Sequence, residues 1–127
     1  MPIGKAPVDI AALDQLGGLQ PSSGADIIVE FIEIFLTDLP ARRAAIREAV
    51  ESGKAVAITT AAHALKGSSA YMGARELHRL CQELEVAGRE ENSKSVTMIA
   101  TALEEEADAV HQFLLSRITS RPTGKLR

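Results

Sequence analysis

The sequence predicts an all-α protein, an antiparallel four-helix bundle with a short extra N-terminal helix. Apolar residues recur at helical spacing through several long windows, and no stretch shows the alternation of a half-buried strand. Hydrophobic residues make up 46% of the 127, but aromatics only 3% with no Trp, so the core must be aliphatic and Ala-rich. That composition suits close helix packing better than a β-sandwich. Gly and Pro concentrate near the ends and the turns, which leaves the windows between them free to be helical. The length fits one domain, with its core at about 9–118 between flexible tails at 1–7 and 119–127.

Asp9 can N-cap a short helix through Leu16, with Ile10, Leu13 and Leu16 on one face and Gly17-Gly18 as its stop. Pro21 to Gly24 reads as a loop. A helix over 25–37 carries Ile27, Ile28, Phe31, Phe35 and Leu36 at helical spacing. Pro40 removes a backbone hydrogen bond and clashes with the preceding turn, so a kink or a short break is expected there. The continuation to Glu51 sets Leu39, Arg43, Ile46 and Val50 along one line, and Ser52-Gly53 is the turn. The next helix covers 54–72, with Gly73 as its C-cap. The following one covers 74–89, with Leu77, Leu80, Cys81 and Leu84 inward and Gly88 marking its end. The last runs over 93–118 from a cap at Asn92 or Ser93, with Val96, Ile99, Leu103, Ala107, Val110 and Leu114 inward. Pro122 and Gly124 keep the tail non-helical.

The run from His63 to Ala74, HALKGSSAYMGA, organises the rest. A helix turns ~100° per residue, so with Ile58 at zero, Ala61, Ala62, Leu65, Ser69 and Met72 fall within ~60°. On the same wheel His63 lies at ~140°, Lys66 at ~80° and Gly67 at ~180°. The helix that buries Leu65 therefore turns His63 to solvent, between a cation and bare backbone. Gly67 costs about 1 kcal/mol relative to Ala in a helix interior, and it leaves nothing standing beside the imidazole. Ser68 and Ser69 lie towards the core side and read as small packing residues whose hydroxyls bond back to the previous turn.

This run resembles the phosphoacceptor motif of histidine-containing phosphotransfer (HPt) domains: His, any residue, Leu, Lys, Gly, two small residues, then Gly-Ala. Met72 stands where that family usually has a larger aliphatic residue. The likeness continues through Leu77, Leu80, Cys81, Leu84 and Gly88-Arg89, and spans about Ile27 to Leu115. The resemblance implies the same bundle fold. It also implies a phosphorelay role, in which His63 takes a phosphoryl group from a receiver-domain aspartate and passes it to another response regulator. An imidazole with its ordinary pKa of about 6.5 is mostly neutral near pH 7, and its lone pair can accept such a group. Lys66, one turn on, can screen the charge that arrives.

A hairpin turning at Gly73 pairs residues whose numbers sum to about 146, which sets Gln82 to Glu85 opposite His63, with Arg89 one turn further. In related domains a polar side chain at the position of Glu85 and an Arg at that of Arg89 lie beside the phosphorylation site. A carboxylate there would repel a phosphoryl group, so Glu85 either points away or holds the imidazole through a hydrogen bond. The expected docking surface is Thr59, Ala62, Ala70, Gln82, Glu85 and Arg89 around His63, Lys66 and Gly67, with Ala62 only partly exposed. The partners implied are receiver domains of a hybrid histidine kinase and of response regulators, which would also supply Mg²⁺.

The remaining features narrow the alternatives. No Gly-rich nucleotide loop of either common pattern is present, so no kinase activity of its own is expected. His78 and His111 lack a partner at metal-binding spacing, Cys81 falls on an apolar stripe, and Glu104 to Glu106 reads as a solvated face. Net charge is −3, and the only basic cluster is the tail from Arg117, so nucleic-acid binding is not indicated. No apolar run approaches the length of a membrane span, and the N-terminus lacks the apolar core of a secretory signal. A single Cys suits a reducing cytoplasm. The initial Met and both tails favour a free-standing protein over a piece of a hybrid kinase, and a monomer is expected. The main alternative is a non-catalytic helical adaptor that docks receivers without relaying phosphate, which the intact His63, Lys66 and Gly67 disfavour. A bundle enzyme or metal carrier is weaker still.

Overall fold

The computed structural model describes residues 6–9, 11 and 24–119. Four helices follow one another there: α1 Gly24–Ser52, α2 Ala55–Tyr71, α3 Arg75–Arg89 and α4 Ser93–Thr119. Each packs on its neighbours in a closed ring, α1 on α2, α2 on α3, α3 on α4 and α4 back on α1, and the α2–α3 contact is the most extensive. Leu39, Ile46, Leu65, Leu77, Leu84, Leu103 and Leu114 fill the centre, almost fully buried. Ala61, Ala62, Ala74, Ala87 and Ala107 sit among them and let the backbones approach closely. Ile99 is only partly buried, at the edge of the core.

The links are short and chemically specific. Gly53 and Gly73 take φ of +69° and +77°, the left-handed conformation that glycine adopts without a Cβ penalty. At Gly73 the turn closes with Gly73 N–H donating to Ala70 O at 3.1 Å and Ala74 N–H to Ser69 O at 2.9 Å. Ser69 is buried, and its hydroxyl donates to Leu65 O at 2.7 Å, as the sequence suggested. Helix α3 ends at Arg89 with Gly88 in its last turn, as the sequence predicts. Gly88 stays inside the helix and is buried, and the left-handed residue is Glu91, at φ +57°. Glu91 N–H donates to Gly88 O and Asn92 N–H to Ala87 O, both at 3.1 Å, so a charged residue bears the conformation usually given to glycine. Asn92 caps α4 by accepting from Ser95 N–H at 3.1 Å.

Of the two outcomes expected at Pro40, the break is absent: helix α1 runs continuously through it. Proline costs the helix one hydrogen bond there, and Phe35, Leu39 and Ile46 are buried on either side of it. One expectation needs correction. Glu104 is not part of a solvated face. It accepts from Arg43 Nε at 2.7 Å and pairs with Arg47, tying α4 to α1, while Glu105 beside it is exposed.

At the N-terminus Asp9 accepts from Ala11 N–H at 3.0 Å, the expected capping bond, and Ala11 is helical. The rest of that short helix, its Gly17-Gly18 stop and the tail from 120 lie outside the described residues. Asp9 N–H donates to Gly73 O at 2.8 Å and Arg75 pairs with its carboxylate at 2.6 Å, so the chain is tied down at the α2–α3 turn, where Val8 is buried.

Candidate functional site

The core stripe of α2 fixes everything around His63. Ile58, Ala61, Ala62, Leu65 and Ser69 are buried, and the opposite face must look outward. The His63 side chain is 68% exposed, two turns from the N-terminus of α2. Helix α3 runs antiparallel beside it and brings Glu85 across the seam. Glu85 Oε2 lies 3.0 Å from His63 Nδ1, and Glu85 Oε1 lies 2.8 Å from Lys66 Nζ. Arg89, one turn further along α3, has a guanidinium nitrogen 4.0 Å from Oε2.

The charge state of Glu85 decides what His63 can do. The Lys66 ammonium holds the Glu85 carboxyl below its ordinary range, opposed by its burial and helped by the bond to His63. An ionised carboxylate only accepts hydrogen bonds, so the proton of that contact belongs to His63 Nδ1. In the neutral ring the Nε2 lone pair is then free and faces solvent. Of the two alternatives left for Glu85, the structure shows the second: it holds the imidazole. Lys66 lies across Glu85 with its side chain only 23% exposed, rather than standing free beside the ring.

Gly67 is exposed, and a Cβ built on it would meet nothing within 4 Å. The space beside His63 is therefore open on the side the sequence indicated. Ala70, Gln82 and Arg89 are exposed around it, and Thr59 is half-buried with its hydroxyl donating to Val56 O at 3.1 Å. Ala62 is a correction. It is 0% exposed, because its phase of ~40° from Ile58 lies inside the stripe and α3 closes over it. What the sequence reading missed is apolar. Val56 is 77% exposed, and Tyr71 and Val86 are also exposed. Val56 lies seven residues before His63, two turns along the same face, so the spacing alone would have found it. Tyr71 is steadied by an edge-on contact with Phe31, ring centroids 5.3 Å apart.

Other candidate groups do not join this cluster. Burial pushes the Cys81 thiol up to about 12, which makes it an inert core group. His78 and His111 are half-buried, and among the described residues no group of three or more His, Cys, Asp or Glu comes together to hold a metal ion. No described helix is long and apolar enough to cross a membrane.

Comparison with known proteins places the chain in one family. The Hpt domain family model matches residues 30–113. The phosphorelay protein LuxU of Vibrio vulnificus is 30% identical over 98 residues, covering 77% of this chain and 83% of LuxU. The sensor histidine kinase GacS of Pseudomonas protegens is 30% identical over 89 residues, 69% of this chain but 10% of the kinase, so the chain spans about a tenth of that relative. The crystal structure of histidine-containing phosphotransfer protein B from Pseudomonas aeruginosa PAO1 superposes with a TM-score of 0.82 at 23% identity, over 93% of this chain and 99% of that one.

Proposed function

Because the chain belongs to the Hpt domain family, we propose that it is a phosphorelay intermediate of multistep two-component signalling and that His63 is its phosphoacceptor. The observation that carries the residue assignment is the Nδ1–Glu85 bond, which leaves Nε2 as the exposed nucleophile. In the forward step Nε2 attacks the phosphorus of a receiver's aspartyl phosphate. The N–P bond forms, the acyl O–P bond breaks, and the aspartate leaves as a carboxylate. The proton stays on Nδ1, so the ring becomes cationic, and Glu85 offsets that charge across 3.0 Å. A ring that keeps its Nδ1 proton remains a good leaving group, so the same phosphoryl group can be handed on to a second receiver by the reverse chemistry. Lys66 and Arg89 balance the two negative charges of the phosphoryl group against Glu85.

The partners of this reading are receiver domains, of a hybrid histidine kinase and of response regulators, and each would bring its own Mg²⁺. The chain acts as a carrier rather than a kinase, as a monomer in the cytoplasm. The surface it offers is the exposed rim of Val56, Ala70 and Gln82 around His63. A transient contact at the small end of interface sizes, below about 1,200 Å², suits a carrier that must let go.

Incubation with a receiver phosphorylated on its aspartate tests the proposal. Acid-labile phosphate is expected on His63, and His63→Gln should fold normally and take none. Label on His78 or His111 would sink the assignment.

A further inference from the structure

Gly88 is buried in the last turn of α3, yet it serves no turn, because the left-handed residue is Glu91 three positions on. What its missing side chain provides is contact. A Cβ at Gly88 would lie 2.7 Å from Ile58 Cγ2, 3.1 Å from Ile58 Cβ and 3.5 Å from Thr59 Cγ2, all on α2. Ile58 is itself buried, and its branch point is fixed to the backbone, so no rotamer change relieves both close contacts. A methyl group at 88 must therefore push the two helices apart. The spacing of packed helices follows the side chains at their contact, and here the contact is reduced to backbone against Ile58.

The place of this contact matters. Gly88 is three residues from Glu85 on α3, and Thr59 is four residues from His63 on α2, so each lies one turn from the pair that meets across the seam. We propose that Gly88 is a positioning residue for the phosphoacceptor: its bare backbone sets the α2–α3 spacing at which Glu85 reaches His63 Nδ1. The proposal rests on reading His63 as the nucleophile. Lys66 depends on the same spacing, since its bond to Glu85 crosses the same seam at 2.8 Å. Gly67, in the same hairpin, has no such role, because nothing lies near it.

The test measures tautomer and transfer separately. Imidazole ¹⁵N shifts of His63 are recorded at alkaline pH, where the ring is neutral, and phosphotransfer from a phosphorylated receiver is timed. The native protein should show the Nδ1–H form. In Gly88→Ala the contact to Glu85 should open, the Nε2–H form should appear, and transfer should slow at least about tenfold, given that ~1 Å of misplacement costs ~100-fold. Adding Ile58→Leu, which removes the Cγ2 at 2.7 Å and leaves only the milder 3.1 Å contact of Cβ, should restore most of both. A lower melting temperature with the Nδ1–H form unchanged would show Gly88 to be structural only and overturn the proposal. Should Gly88→Ala not fold, the Gly88→Ala/Ile58→Leu variant decides: native tautomer and rate support the proposal, and a folded protein with the Nε2–H form sinks it. If His63 were not the phosphoacceptor, the tautomer would still follow the substitutions while transfer would not, so the two failures are distinguishable.

Discussion

Two opposite seams of the ring each centre on one carboxylate, and they use it differently. Between α4 and α1, Glu104 is held by Arg43 at 2.7 Å and by Arg47. Asp108 adds a longer contact to Arg43, at 3.9 Å, beside Glu104. Between α2 and α3, Glu85 is held by Lys66 at 2.8 Å and by His63 at 3.0 Å. Both carboxyls lie below their ordinary range. For Glu104 burial opposes this and the two arginines outweigh it, and for Glu85 the bond from Lys66 dominates. The difference lies in the donors. Guanidinium never gives up its proton in a protein, so the Glu104 cluster has one state and acts as a clasp. Imidazole exchanges protons near neutrality, so the Glu85 cluster can direct which ring nitrogen is free. Seen as motifs of charge the two are alike, and under the proposed function only the second would carry chemistry.

Crowding the second seam should produce the largest effect. Gly67→Gln places a long side chain one turn from His63 where nothing now stands within 4 Å. Holding a receiver back by ~1 Å should slow transfer about a hundredfold. The fold should be as stable or slightly more so, since glycine is the poorer helix former. A melting curve and a transfer time course check both, and an unchanged rate would mean that the open space has no part in transfer. Next in size is the carboxylate itself. Glu85→Leu removes a charge-assisted hydrogen bond worth about 1.5–3 kcal/mol, which predicts a loss of about tenfold or more in rate. Glu85→Gln keeps an acceptor for Nδ1–H and should stay within severalfold of the native rate. If Leu and Gln at 85 transferred equally well, the second seam would be no more than another clasp.

How much of this was legible in the sequence differs between the seams. The wheel placed His63 outward and the hairpin sum placed Glu85 opposite it, because both follow from helical periodicity and one short turn. The charge triplet at Glu104 to Glu106 misled, since periodicity within one helix does not say which neighbour comes alongside. Arg43 was assigned to the inward line of α1, yet its partner lies 61 positions away in sequence. Gly88 marks the end of α3 as the sequence predicts, and only the position of Ile58 on another helix shows that it is also a contact. At Pro40 the helix continues, with buried residues on both sides, so of the kink or break that a proline brings the break is absent. The helix-forming windows were legible because each buries a stripe of its own.

The α4–α1 clasp predicts a smaller effect, and one that should leave transfer alone. Glu104→Gln keeps the shape but leaves Arg43, 20% exposed, with only the longer contact to Asp108 at 3.9 Å, which should cost about 1 kcal/mol of folding stability with no change in transfer rate. A transfer defect as large as that of Glu85→Leu would mean that the two seams are coupled.

Acid should separate the seams by the least margin, and the sign is fixed by linkage. A carboxyl whose folded-state pKa lies below its unfolded value of 4.5 adds stability that is complete above about pH 4.5. That stability is lost as pH falls through the folded value, because the unfolded chain takes up the proton first. Both Glu85 and Glu104 have the depressed sign, so both should contribute to the acid limb of the stability profile. Removing Glu104 should flatten that limb, and the gap between the native and Glu104→Gln curves should narrow as pH falls below about 4.5. Denaturant titrations at steps from pH 6 to pH 3 measure this directly. In Glu85→Gln the flattening should come with a second change that Glu104→Gln lacks. The transfer rate of the native protein should fall as Glu85 is protonated, because a neutral carboxyl no longer offsets the charge that develops on the ring. That acid-side loss of rate should be absent from Glu85→Gln, whose amide does not titrate. If the native protein and Glu85→Gln lost rate in parallel on acidification, the loss would belong to His63 or to the receiver, and Glu85 would act through geometry alone.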